Sequence, residues 1–132
     1  MHILESYAGF ILPNRKGEFT MILYSDIIKL FSFDLKGKFC IEIEFSVKSH
    51  PKYQSCWMGK MPDENNSEQE LYWYGLTADG SEAYDFYSFE DFARSTVFDG
   101  KSLEEIFSDI EINSIDGCDP IDRLQTYIHD FI

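Results

Sequence analysis

Basic residues are scarce in this chain and nearly absent from its second half. Residues 61–132 hold 3 Lys and Arg against 18 Asp and Glu, a balance of −15, whereas residues 1–60 hold 8 against 6, a balance of +2. That shortage argues against nucleic-acid binding, which draws most of its affinity from Lys and Arg neutralising phosphates. It argues equally against docking on an anionic membrane surface. Lys29, Lys36, Lys38, Lys48 and Lys52 read as solvated strand edges and turns rather than as a basic patch. Cysteine is sparse too. Cys40, Cys56 and Cys118 are odd in number and widely spaced, which excludes a disulfide framework and points to reduced thiols in a cytoplasmic protein. No stretch approaches the roughly 18 consecutive apolar residues of a membrane span. Met1–Leu12 lacks a basic start and is interrupted by Glu5, so a signal peptide is not expected.

The usual catalytic signatures are missing as well. There is no G-x-S-x-G elbow, C-x-x-C pair, H-x-x-x-H pair or EF-hand loop. Gly100-Lys101-Ser102 ends like a phosphate-binding loop, but the glycine needed five residues earlier is Ser95, and a turn followed by a capped helix explains the same residues. His50 stands near Cys56, and a cysteine nucleophile needs such a base, but a buried thiol beside Trp57 is the better reading. Asp116, Asp119 and Asp122 have a spacing that hard-cation ligands use. Helix capping by Asp119 and a first-turn place for Asp122 account for them more simply. No cofactor or metal is expected.

Aromatic residues, by contrast, are plentiful at 17%, so the chain can bury a core, which an acidic disordered tail cannot. A length of 132 residues suits one domain, 1–132. Phe39–Val47 alternates apolar with polar residues and is the clearest strand. Ile27–Asp34 reads as a strand before it, with Lys36-Gly37 as the turn, although Phe19–Phe33 is apolar enough to fit a helix as well. Residues 2–12 read as a further strand ended by Pro13-Asn14, and Pro62–Gln69 is a polar loop.

Leu71–Thr77 and Glu82–Tyr87 flank Ala78-Asp79-Gly80-Ser81 and form a hairpin, with Asp-Gly suited to a two-residue type I′ turn. That turn predicts Trp73 opposite Phe86 on a core face, with Tyr72, Tyr74 and Tyr87 on a partly exposed one. Beyond the hairpin the apolar period changes from two to 3.6. Ser88 caps a short helix, Ser102 and Glu105 form a capping box, and Asp119-Pro120 opens a third helix. Glu111–Ile115 reads as a last strand. The fold class expected is α+β: an antiparallel or mixed sheet of about six strands from residues 2–87, with helices near 88–94, 102–110 and 119–131 packed mainly on one face.

The acidic surplus is the functional lead. Asp91, Glu104, Glu105 and Asp122 stand in first helical turns, where negative charge is favourable. The rest of the surplus exceeds what solubility asks of a small domain and suits a basic protein partner. The residues expected to bind it are Tyr72, Tyr74, Glu82, Asp85, Tyr87, Glu104 and Asp109. In size and charge the chain is similar to small acidic bacterial proteins that neutralise toxins, such as immunity proteins and inhibitors. The function expected from the acidic face is a non-enzymatic module for a basic protein partner, and the chain is expected to be a monomer or homodimer. The alternative is a small enzyme whose carboxylates and tyrosines line a cleft for a cationic or carbohydrate-like substrate, which predicts a pocket with converging acids.

Overall fold

A computed structural model describes residues 21–34 and 40–131. Within them the fold is α+β, with a five-stranded antiparallel sheet and four short α-helices. The strands are β1 (Ile41–Val47), β2 (Cys56–Pro62), β3 (Glu70–Gly75), β4 (Ala83–Phe86) and β5 (Ile110–Ile115). The helices are α1 (Tyr24–Ser32), α2 (Phe89–Arg94), α3 (Leu103–Ile106) and α4 (Pro120–Phe131). A 3-10 turn, Phe107–Asp109, links α3 to β5. The sheet order is β4-β3-β2-β1-β5. β1 to β4 form a meander, and β5 crosses over through α2 and α3 to pair with β1.

One face of the sheet is closed. Ile41, Ile43, Phe45 and Val47 of β1 are fully buried, while Glu42 is exposed between them. That face meets Ile27, Leu30 and Phe31 of α1, Phe92 of α2, Leu103 and Ile106 of α3, and Leu124 and Tyr127 of α4. Aromatic rings fill its centre. Tyr74 and Phe92 stack at 4.1 Å, and Phe31 and Phe98 meet them edge-on at 5.5 and 5.4 Å. Offset and edge-on pairs of this kind add roughly 0.5–1.5 kcal/mol each beyond area burial.

The caps follow the residues that predicted them. Ser88 Oγ accepts from the Asp91 amide, and Ser102 and Glu105 exchange both capping-box bonds. Asp119 accepts from the Asp122 amide at 3.1 Å. Asp99 and Gly100 both adopt positive φ where the chain breaks before α3.

Three expectations are corrected. Tyr24–Ser32 is a helix, not the Ile27–Asp34 strand. Ile27, Leu30 and Phe31 recur at helical spacing, and Asp26 accepts from the Leu23 amide at 2.7 Å across the first turn. The strand expected at Ile27–Asp34 is therefore absent, while the last strand expected at Glu111–Ile115 is present as β5, Ile110–Ile115. The 102–110 helix is a single α-turn plus the 3-10 turn, because Ile110 already enters β5. The expected strand 2–12 and the Lys36-Gly37 turn lie outside the described residues.

The third correction is the hairpin register. Tyr72 pairs with Phe86, Trp73 with Asp85, Tyr74 with Tyr84 and Gly75 with Ala83. Leu76 donates to Glu82 O, so the connecting loop is Thr77–Ser81, not the two residues Asp79-Gly80. Asp79 organises it, accepting from Thr77 Oγ1 and the Ser81 amide at 2.9 Å each. Those bonds hold its carboxyl below the usual range. Only Gly80 of the pair has positive φ, so a type I′ turn is not formed. A shift of one residue moves every side chain to the other face. Tyr72 and Tyr74 therefore point into the core, and Trp73 points out.

Candidate functional site

Among the described residues, no helix packs on the second face of the sheet. Consecutive cross-strand partners share a face, so two rows can be read from the register. One runs Ser114, Glu44, Trp57, Gly75, Ala83; the other runs Glu42, Gly59, Trp73, Asp85. Met61 and Leu71 pair beside them, and Ser46 pairs with Glu111 at the far end. Trp57 is 38% exposed and Tyr87, just past β4, is 59% exposed. Glu42, Asp85 and Glu111 are exposed and Trp73 is half-buried. None of these strand positions is Lys or Arg.

Glycine shapes this face. The Trp73 indole lies across Gly59. A Cβ at that glycine would stand 2.7 Å from the ring and 2.3 Å from Ile41 O. A glycine inside a strand commonly marks such a close approach. Each tryptophan has a glycine partner on one flank and a carboxylate on the other.

The residues expected to bind a partner do not converge. Tyr72 is 8% exposed and Tyr74 is 1% exposed, so neither ring is a surface anchor. Burial, with Glu70 adding to it, pushes the Tyr72 phenol up to about 12. The Tyr74 hydroxyl donates to Phe92 O at 2.9 Å. Asp85 lies on the open face, and Tyr87, just past β4, is exposed with its hydroxyl 3.4 Å from Asp63 Oδ1. Glu82 is tied to Lys52 at 2.7 Å. Glu104 stands in the first turn of α3, and Asp109 precedes β5 at the opposite sheet edge from Asp85. Four strand spacings, roughly 19 Å, separate those edges. The open-face residues Glu42, Glu44, Trp57 and Trp73 were not among those expected. The signal that finds them is Gly59 and Gly75 placed inside β2 and β3.

A cluster of titratable groups gathers where three loops meet. The Tyr53 hydroxyl donates to Glu82 at 3.0 Å, with an Asp99 carboxylate oxygen 3.3 Å away as the alternative acceptor, and its ring stacks on His50. Lys52 reaches Glu82 and Asp99, and His50 Nε2 is 3.7 Å from Asp99. Ser49 Oγ lies 3.1 Å from His50 Nδ1 and donates to Asp109. A carboxylate only accepts, so Ser49 gives its single proton to Asp109, and His50 cannot take it as a general base. Burial and the Glu82 hydrogen bond push the Tyr53 phenol up to about 12, which keeps it neutral. The cluster ties the three loops together.

Cys56 is buried, donates to Leu76 O and has its thiol pushed up to about 11, chiefly by burial. His50 contacts Ser49, Asp99 and Tyr53 instead. Asp116 accepts from Glu42 N, Arg123 Nε and Tyr127 Oη, which anchors α4 against β1 and β5. Among the described residues no group of three or more His, Cys, Asp or Glu is placed to hold a metal.

A groove of about 640 Å³ between α1, β5 and α4 is lined mostly by apolar residues such as Ile22, Phe107, Ile112 and Ile121. Lys48 and Glu111 are its charged residues, so converging acids do not line it. No described helix is long and apolar enough to cross a membrane. Comparison with protein-family models, curated proteins and solved structures finds no match for this chain.

Proposed function

We propose that this chain is a non-enzymatic protein-binding module of the immunity or inhibitor type, taking a basic protein partner on the open face of its sheet. The supporting observation is the composition of that face. Two tryptophans and the exposed Tyr87 stand among Glu42, Glu44, Asp85 and Glu111, with no basic residue on the same strand positions. Interface hot spots favour Trp and Tyr. A one-signed acidic field speeds the approach of a cationic surface, with on-rates toward 10⁸–10⁹ M⁻¹s⁻¹ at low salt. A nucleic-acid-binding cleft is a surface of that kind, because it presents Lys and Arg to phosphates. The setting that suits three free thiols is the cytoplasm.

The test uses the full chain and its Glu42→Gln/Glu44→Gln/Asp85→Asn variant as parallel baits in lysate of the native host. The expected result is a protein of high pI held by the parent chain, not by the variant, and released at about 0.5 M salt, where screening acts within a few ångströms. Equal retention by both baits, or retention indifferent to salt, overturns the reading.

A further inference from the structure

Resting on that reading, we infer that the row Glu42, Gly59, Trp73, Asp85 is a seat for an arginine side chain of the partner. These residues are consecutive cross-strand partners on β1, β2, β3 and β4. Gly59 has no side chain, so the indole of Trp73 crosses its place. An aromatic surface is thus bracketed by two carboxylates, Glu42 on one side and Asp85 on the other. Their Cα atoms stand three strand spacings apart, roughly 14 Å.

The described cations are placed elsewhere. Where this chain supplies a cation to a ring among the described residues, the ring is a tyrosine: Lys52 over Tyr53, Lys60 over Tyr72, Arg123 over Tyr127. Indole is the stronger cation acceptor, yet among the described residues no Lys or Arg stands over Trp57 or Trp73. The carboxylates repeat the pattern. Lys52, Lys60, Arg94 and Arg123 pair with Glu82 and Asp99, Glu70, Glu90 and Asp116. No described cation pairs with Glu42, Glu44 or Asp85. Among the described residues the charge complement of this row is not supplied, and a partner's guanidinium would supply it.

Arginine fits better than lysine. A guanidinium stacks flat on an aromatic face while its N–H fork reaches sideways to carboxylates. A lysine ammonium is a compact, strongly hydrated point charge and cannot do both. Trp57 sits diagonally from Trp73, with Glu44 as its partner on β1, and extends the surface on which the arginine-bearing segment lies.

The test titrates the full chain with two short peptides, one alternating Gly and Arg and one alternating Gly and Lys, following the indole N–H resonances by NMR. The expected result is a shift of the Trp73 indole N–H by the arginine peptide, with about threefold tighter binding than the lysine peptide. Trp73→Leu should erase that preference and leave the remaining binding salt-dependent. Equal affinity for the two peptides, or an arginine peptide that leaves the Trp73 resonance in place, overturns the seat; the resonance measurement holds even if Trp73→Leu fails to fold. The acidic-face reading fails separately, if Glu42→Gln/Glu44→Gln/Asp85→Asn leaves the binding of both peptides unchanged.

Discussion

The two faces of this sheet are built from the same strands, one residue out of phase, and they handle side chains by opposite rules. On the closed face the buried lysine is fully matched. Lys60 is 1% exposed on β2, and its ammonium donates to Phe31 O, Phe33 O and Glu70 Oε1 at 2.7 Å each. All three of its protons have acceptors, and two of those acceptors are carbonyls at the C-terminal end of α1. On the open face Glu42, Glu44 and Asp85 have no cation among the described residues, and two indoles lie beside glycines. The closed face is organised to hold the fold together, and the open one resembles the centre of an interface.

The sharpest way to break this contrast is to remove one ring from each side. Phe92 is fully buried and touches Tyr74, Phe31, Tyr72, Phe86 and Phe89. Phe92→Ala should cost about 3–5 kcal/mol, a large share of the 5–15 that holds a small domain folded. Trp57→Ala, on the other side, should cost about 1 kcal/mol, the span of preferences at a half-exposed strand position. Urea midpoints of the two variants check this. Similar losses would mean that the open face is structural after all.

Lys60 is the next test. Lys60→Met leaves the Phe31 and Phe33 carbonyls and the Glu70 carboxylate without their shared donor. Removing one member of a buried pair is strongly destabilising, but Glu70 is 29% exposed and can hydrate, so the expected loss is about 3 kcal/mol. Glu70→Gln should cost less, about 1 kcal/mol, because both carbonyl bonds survive. Hydrogen exchange should show the last turn of α1 opening first in Lys60→Met. A variant as stable as the parent would show that the ammonium does not tie α1 to the sheet.

Gly59 joins the two faces, and it also shows where sequence reasoning stopped. Gly59→Ala drives a methyl group to 2.3 Å from Ile41 O and 2.7 Å from the Trp73 ring. Overpacking of this kind costs about 1–3 kcal/mol. Trp73→Leu in the same chain should recover only part of it, since the carbonyl contact remains. The caps at Ser88, Ser102 and Asp119 are local signals found where they were read, the alternation read over Phe39–Val47 is strand β1 over its described part, Ile41–Val47, and the polar run read from Pro62 forms a loop once Pro62 has ended β2. Parity in β3 and β4 was not legible in that way. It depends on a loop of five residues in place of two, set by hydrogen bonds among Thr77, Asp79 and Ser81. The register is thereby shifted by one residue, which pairs Phe86 with Tyr72 instead of Trp73, and Tyr72 and Tyr74 lie inside with Trp73 outside. The helix α1 was ambiguous because its apolar residues fit both periods. What distinguishes them, the Lys60 ammonium on its last carbonyls, lies 27–29 residues away. The candidate face needed the order β3-β2-β1 before its glycines and tryptophans could be placed together.

Alkaline titration probes the closed face at smaller amplitude. Tyr53 and Tyr72 ionise at about 12 in the folded chain against an ordinary value of 10.0, and Cys56 at about 11 against 9.0. In each case burial is the leading cause of the upward shift. The protonated form is the one the fold prefers, so stability is level while both states keep the proton. It falls once the unfolded chain releases it and the folded chain does not. The fall should begin near pH 9 through Cys56 and run between 10 and 12 through the phenols. Tyr53→Phe should cost about 1 kcal/mol at neutral pH, through the lost bond to Glu82, and flatten part of the decline between 10 and 12. A decline of unchanged slope would remove Tyr53 from that account.

The smallest expected effect reverses the sign of the others. Glu42 and Glu44 project from β1 on the same face, and Glu42, Glu44, Asp85 and Glu111 all belong to it. Like charges gathered on one surface repel and lower stability. Glu42→Gln/Glu44→Gln should therefore raise the urea midpoint slightly, by a few tenths of a kcal/mol at low salt, and the gain should vanish as added salt screens the repulsion. Binding of the arginine peptide should weaken in the same variant. Stability and binding moving in opposite directions mark residues held in place by function rather than by folding. On the closed face no exchange of that kind is expected, because there each substitution costs stability and gains nothing. A double variant that loses stability, as Phe92→Ala does, would erase the distinction between the two faces.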